Sequence, residues 1–129
     1  MVDKFKKILE EMKKQGTVTL FAILKMDDLT DKWSVLISAP WISDANRKQV
    51  FADIVGLIKK EMLPEEAANI ARVLIVPEGN HLVSELLEQK RDYIGGEGSV
   101  KINGNMVHEA YILEPQWDAT RTAAAATAN

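Results

Sequence analysis

The chain has 129 residues, of which 47% are hydrophobic and 27% are charged. This composition is typical of one globular domain with a buried core and argues against global disorder. A formal net charge of −3 gives no strong field toward phosphate backbones or anionic lipid, which argues against nucleic acid as a partner. Because there is no cysteine, disulfides, thiolate metal sites and thiol nucleophiles are excluded.

The cellular location is inferred from the lengths of the apolar runs. The longest runs, such as residues 73–77, fall far below the roughly 20 residues that span a bilayer. The segment that follows Met1 has no apolar run of signal-peptide length. We therefore expect a cytoplasmic protein with no membrane role.

The first third of the chain predicts a helix followed by a hairpin. Residues 3–14 place apolar side chains at helical spacing, and Gly16 supplies a stop. The apolar residues of this helix are Phe5, Ile8, Leu9 and Met12. Segments 17–26 and 32–41 alternate with the period of two that strands have. They predict an antiparallel hairpin, which Pro40 ends because proline has no N–H to donate.

The middle of the chain predicts the principal core helix and a buried strand. The helix begins after a cap at Ser43 or Asp44 and carries a broad apolar stripe. The stripe consists of Val50, Phe51, Ile54, Val55, Ile58 and Met62. Pro64 then starts a short helix that reaches about Asn69. Residues 72–77 are apolar on both faces, which is typical of a central strand buried on two sides.

The last third predicts one more helix and a second hairpin. Asn80 is placed to cap a helix over residues 81–90, and the glycines of residues 95–98 mark a flexible crossing. Asn103 and Gly104 lie between two alternating runs and predict a type I′ turn, in which both central residues have positive φ. This pairing predicts one shared strand face for Val100, Ile102, Val107, Tyr111 and Leu113.

The predicted elements define a fold class. Their order is α-β-β-α-(α)-β-α-β-β, where the bracketed helix is the short one. This order predicts an α+β fold in which a five-stranded, mostly antiparallel or mixed sheet packs with three to four helices. We assign residues 1–118 to a single domain and the Ala- and Thr-rich residues 119–129 to a disordered tail.

No pattern in the sequence predicts a metal, a cofactor or a nucleophile. Asp27, Asp28 and Asp31 crowd carboxylates into one loop, but their spacing does not match a calcium loop, and aspartate is common in turns. The glycines of residues 95–98 lack the lysine and the following helix of a phosphate-binding loop. His108 lies in the middle of a predicted strand and is interpreted as structural. We therefore assign no catalytic residue and predict no structural metal and no cofactor.

Four residues at predicted strand-to-helix junctions are candidate binding residues. Trp41 and Asp44 lie between the second strand and the core helix, where an aromatic ring beside a carboxylate is suited to hold a ligand. Asn80 and His81 open the later helix, and a neutral imidazole at His81 can act as a base. These residues define the local site that the sequence favours.

Three functions are carried forward from these observations. The leading hypothesis is a non-catalytic protein-interaction or adaptor module that forms a homodimer, because apolar surface is available on both sheet faces and no assembled catalytic chemistry is evident. One alternative is a small enzyme that uses Asp44 and His81 on a substrate held against Trp41. Another alternative is a small-ligand binder.

Overall fold

The computed structural model describes residues 2–26, 32–95, 100–102 and 105–115. Four helices and six strands lie within these ranges. In chain order they are α1 (Val2–Lys13), β1 (Leu20–Met26), β2 (Trp33–Ser38), α2 (Arg47–Glu61), α3 (Pro64–Ala67), β3 (Ile70–Ile75), α4 (His81–Gln89), β4 (Tyr93–Ile94), β5 (Val100–Ile102) and β6 (Asn105–Glu114). The strands form one mixed sheet in the order β3-β2-β1-β6-β4, and β5 also pairs with β6.

The predicted α+β class, the mixed sheet and the order of the elements are confirmed. The structure adds one short strand, β4, which pairs antiparallel with β6 through Tyr93 and Ile94. Two residues are too few to create a periodic pattern, so the sequence carries no signal for this strand. The predicted short helix is α3, which begins at Pro64 as expected.

The position of β3 in the sheet differs from the prediction. β1 and β2 form the expected antiparallel hairpin, but β2 and β3 are parallel, because the chain crosses through α2 and α3 between them. β3 lies at one end of the strand order and pairs only with β2 among the described strands. The prediction of a central strand over residues 72–77 is therefore wrong. A parallel strand that packs on both faces has a continuous apolar sequence whether or not it has a second neighbour.

Apolar side chains fill both faces of the sheet. The first core lies between the sheet and helices α1 and α2, and its fully buried members include Phe5, Ile8, Phe21, Ile37 and Ile54. The second core lies on the opposite face, where α4 packs, and its fully buried members include Leu20, Leu24, Leu36, Val83 and Leu86. Alternate residues of β1 belong to the two cores, because successive residues of a strand point to opposite sides of the sheet.

The predicted homodimer requires that one face of the sheet keeps an apolar patch that no helix of the same chain covers. In the structure α1 and α2 cover one face and α4 covers the other, so both sets of apolar strand residues are covered within one chain. Among the described residues, neither face of the sheet is left without a covering helix. Dimerisation itself stays a prediction, to be measured in solution.

The pairing of β6 with β1 is interrupted by two register shifts. Lys25 pairs with Glu109, but the next residue, Met26, pairs with Val107, so a β-bulge lies between them. Val107 consequently packs in the second core, whereas Tyr111 packs against the first. The prediction that these two residues share a face is wrong, because strict alternation does not continue through the bulge.

The two long loops that lead into helices are held by asparagines. Asn46, and not the predicted Ser43 or Asp44, is the N-cap of α2, and its side-chain oxygen accepts the Ser43 N–H at 2.8 Å. At α4 the predicted cap is confirmed, because the side-chain oxygen of Asn80 accepts the Leu82 N–H at 2.9 Å.

Several predicted features lie outside the described residues. They are the acidic cluster Asp27, Asp28 and Asp31, most of the glycine-rich crossing, the turn residues Asn103 and Gly104, and the tail at residues 119–129. The pairing that flanks the turn is described, and Ile102 pairs with Asn105. This register leaves two residues for the turn, as the sequence predicts.

Candidate functional site

Trp41 makes several contacts with neighbouring segments of the fold. Its ring packs against the first core, and its indole N–H donates a hydrogen bond to the Thr17 carbonyl oxygen at 3.1 Å. Gly16 approaches the same ring so closely that a Cβ there would lie 2.6 Å from Trp41 Cδ1. The Asn46 amide also donates to the Trp41 carbonyl oxygen at 2.8 Å. Trp41 thus ties the segment after α1 to the loop that leads into α2.

Asp44, Asn80 and His81 each have a local partner. The Asp44 carboxylate forms an ion pair with the Arg47 guanidinium at the start of α2. Asn80 caps α4, and the exposed His81 places Nε2 3.3 Å from Glu85 Oε1 one turn further along that helix. None of the hydrogen bonds described for this part of the chain joins Asp44 to His81. Of the four candidate residues, Asp44 alone lines the groove described next.

A groove runs along the outer side of the first core, between α2 and β3. Its main part has a volume of about 610 Å³ and is lined by Asp44, Lys48, Phe51, Val73 and Ile75, together with Arg47 and Leu74. Beyond Phe51 it continues as a depression of about 260 Å³, lined by Val55, Lys59, Ile70 and neighbouring residues. We call the two parts together the β3 groove.

The apolar floor of the β3 groove comes from the width of the stripe on α2. Val50 and Ile54 lie one turn apart and are buried in the first core. Phe51 and Val55 form a second row, rotated toward β3, where Val55 is half-buried and the Phe51 side chain remains 43% exposed. The sequence predicted the stripe but assigned all of it to the core. Its second row instead faces a groove.

The wall of the β3 groove is an open strand edge. Ile37 pairs with Ile75, and the Val76 N–H donates to the Ile37 carbonyl oxygen at 3.0 Å. In a parallel ladder alternate residues of a strand bond to the same neighbour, so Leu74 also bonds to β2. The backbone N–H and C=O groups of Val73 and Ile75 therefore point away from β2. No described strand pairs with that side.

Charge along the β3 groove is mainly positive. Asp44 is already paired with Arg47, and the Arg72 guanidinium reaches the second-core face, where its Nε donates to Ser34 Oγ at 2.9 Å. Lys48 and Lys59 line the groove at opposite ends of the Phe51 row, and neither makes an ion pair with any residue that the structure describes.

Comparisons with protein-family models, with curated proteins and with solved structures found no match to this chain. Functional argument therefore rests on its own residues. Within the described ranges, no helix has the length and apolar character to cross a bilayer. The same ranges bring no three His, Asp or Glu side chains together in a way that would hold a metal ion.

The sequence identified one member of this site, Asp44, and missed the rest. The signal that the sequence offered for the groove was the width of the apolar stripe on α2, which is broader than the surface that one helix buries against one sheet face. The position of β3 at the edge could not be read, because strand order depends on pairings between distant segments.

Proposed function

We propose that this chain is a non-catalytic protein-interaction module, and that its β3 groove binds an extended segment of a partner protein by strand addition. The observation that carries the proposal is the open edge of β3, where Val73 and Ile75 direct backbone donors and acceptors outward beside the exposed Phe51. An added strand satisfies these backbone groups, and its alternate side chains enter the neighbouring groove.

The composition of β3 supports this proposal. A long apolar edge is a hazard for uncontrolled association, and proteins usually shorten such edges or place charges on them. In β3 five of the six residues are uncharged, and Arg72 is the one charged residue. That cation points to the opposite face, where it bonds Ser34. The edge therefore keeps the features that favour pairing with another strand.

The enzyme alternative has less support from the geometry. A general base needs to reach a substrate proton, and a catalytic pair needs its groups close together. The Asp44 carboxylate is held by Arg47, and the His81 imidazole lies beside Glu85. The Trp41 ring, which was to hold the substrate, is engaged with Thr17 and Gly16. These local partners explain the three residues without a reaction.

Selection from a displayed library of random twelve-residue peptides tests the proposal. We expect peptides that bind the purified chain with micromolar affinity and bind at least tenfold more weakly to Phe51→Ser and to Val73→Pro. Proline at position 73 removes an outward N–H and leaves the bonds of Leu74 and Val76 to β2 in place. Circular dichroism and thermal melting confirm that each variant is folded before binding is measured.

Tyr93→Ser is the matched control, because Tyr93 is as exposed as Phe51, at 45% against 43%, but lies on β4 at the other end of the sheet. We expect this variant to bind the selected peptides like the parent. The proposal fails if no peptide is enriched, or if the enriched peptides bind the Phe51 and Val73 variants as tightly as the parent chain.

A further inference from the structure

We infer that the segment bound in the β3 groove is acidic at both ends and apolar between, with two carboxylates placed to meet Lys48 and Lys59. This inference rests on the proposed function and specifies its partner. Both lysines line the groove, neither makes an ion pair with a described residue, and they flank the Phe51 and Val55 row.

The spacing of the two carboxylates follows from helix geometry. Lys48 and Lys59 are eleven residues apart on α2, which corresponds to about 16 Å along the helix axis. An extended strand covers that distance in about five residues. Side chains on one face of a strand are separated by even numbers of residues, so the carboxylates lie four or six positions apart, with the apolar residues between them facing Phe51.

Charge complementarity favours this occupant over a second copy of the chain. If two β3 strands paired antiparallel about a two-fold axis, the two α2 helices would run side by side in opposite directions. Lys48 of one copy would then approach Lys59 of the other, and like charges brought together oppose association. An acidic segment makes favourable contacts at the same two positions.

The C-terminal tail of the chain is also a poor match for the β3 groove. Residues 119–129 contain no acidic residue, and their single charged side chain is Arg121. The tail is rich in alanine and threonine and offers no large apolar side chain for the space beside Phe51. Its composition thus fits neither the charge nor the apolar floor of the groove.

Fluorescence anisotropy with defined peptides tests the inference. The probe is a fluorescein-labelled peptide, Thr-Glu-Ser-Val-Thr-Val-Ser-Glu-Thr, whose two glutamates are six positions apart on the face that carries the two valines. The matched peptide has lysine in place of both glutamates. At low salt we expect the acidic peptide to bind at least tenfold more tightly, with a preference that shrinks as salt is raised.

Charge reversal in the chain provides the second arm of the test. Lys48→Glu combined with Lys59→Glu should reverse the preference, so that the lysine peptide binds more tightly. The control combines Lys7→Glu with Lys60→Glu, which changes the net charge equally. Lys7 lies on α1, and Lys60 lies near Glu11 of that helix, away from the groove. This control should retain at least a fivefold preference for the acidic peptide.

Each contrary result has a distinct meaning. Equal binding of both peptides, lost in Phe51→Ser, overturns the acidic partner and leaves the interaction module standing. Binding of neither probe overturns the acidic partner as well, and the library selection then decides whether the module also fails. A species of twice the chain mass in sedimentation equilibrium that Val73→Pro returns to one chain mass overturns the inference in favour of a second copy. Binding that tightens more than tenfold on removal of residues 119–129 overturns it in favour of the tail.

Discussion

The two edges of the sheet are built in different ways. One edge is β3, a strand of six residues from Ile70 to Ile75 that runs parallel to β2, with one register shift opposite Trp33 and Ser34. At the other edge the described residues form two short strands, β4 with two residues and β5 with three, each antiparallel to a different part of β6. Short edge strands give an incoming strand little to pair with. Among the described strands, β3 therefore offers a longer edge for pairing than β4 or β5 does.

The exposed aromatic residues at the two edges also differ, in the contacts that their side chains make. The Tyr93 hydroxyl donates a hydrogen bond to Glu109 Oε2 at 2.7 Å, and this bond to a carboxylate raises the pKa of Tyr93. Its ring also lies 4.9 Å from that of Tyr111. Phe51 has similar exposure and makes no ring contact with any residue that the structure describes. Of two similarly exposed side chains, Tyr93 thus has a hydrogen bond and an aromatic ring contact, whereas Phe51 has neither with any described residue.

Truncation of the two rows on α2 should give the largest difference in stability. Ile54→Ala is expected to lower the free energy of unfolding by about 2–4 kcal/mol, because it opens a cavity in the first core. Phe51→Ala is expected to cost about 1 kcal/mol or less, since much of that ring is already in water. Urea denaturation measures both values. Equal losses would mean that Phe51 belongs to the core and that the groove floor is misassigned.

Proline substitutions in β3 should distinguish residues whose N–H bonds to β2 from residues whose N–H points away from β2. Leu74→Pro is expected to cost about 2 kcal/mol more than Val73→Pro, because it removes a bond to β2 and leaves a carbonyl unsatisfied. Val73→Pro removes an N–H that has no described partner. The comparison is made by chemical denaturation of both variants. If Val73→Pro lowers the free energy of unfolding more than Leu74→Pro does, then Val73, and not Leu74, directs its N–H to β2.

Local patterns were sufficient for most elements, and the missed features depend on tertiary contacts. The stripe of Phe5, Ile8, Leu9 and Met12 and the hairpin of β1 and β2 were predicted because each is defined within a short stretch of sequence. The edge position of β3 and the facing of Phe51 were not predicted. Both features depend on which strands and helices meet across the sheet. The apolar sequence of β3 would be the same for an edge strand and for a central strand.

The candidate binding residues Trp41, Asp44, Asn80 and His81 are predicted from their residue types and their positions at strand-to-helix junctions. Trp41 is predicted to bind because aromatic rings are common at binding surfaces, and in the structure its ring lies against Gly16 while its indole N–H donates to the Thr17 carbonyl oxygen. The sequence does not single out Lys48 and Lys59, since nothing in a single sequence separates a cation beside a groove from one on a solvated face. A local sequence pattern gives the type and spacing of residues, whereas the surface that a side chain meets depends on tertiary structure.

Gly104→Val tests the predicted turn between β5 and β6. The register of β5 and β6 leaves positions 103 and 104 for the turn, and a β-branched residue at positive φ should lower the free energy of unfolding by more than about 1 kcal/mol. Gly79→Val is the control, because a Cβ at Gly79 would meet nothing within 4 Å. Equal stability of Gly104→Val and the parent would contradict the type I′ turn.

Glu66 anchors the approach to β3 and should give the smallest effect. Its carboxylate pairs with Lys4 of α1 and accepts the Leu63 N–H at 3.0 Å. The hydrogen bond from Lys4, followed by that from Leu63, lowers the pKa of Glu66 below its ordinary value of 4.5. A carboxyl group with a lowered pKa in the folded state stabilises above its unfolded pKa, and this contribution is lost as pH falls through the folded value.

Glu66→Gln should therefore lower Tm slightly at pH 7, and the difference from the parent should disappear when the pH falls well below 4.5. Glu65→Gln is the matched control, because Glu65 is the adjacent residue of α3 and its side chain has no partner among the described residues. That variant should melt like the parent at both pH values. A Tm difference for Glu66→Gln that is unchanged at low pH would mean that the Lys4 pair does not hold α3, and with it the start of β3, against α1.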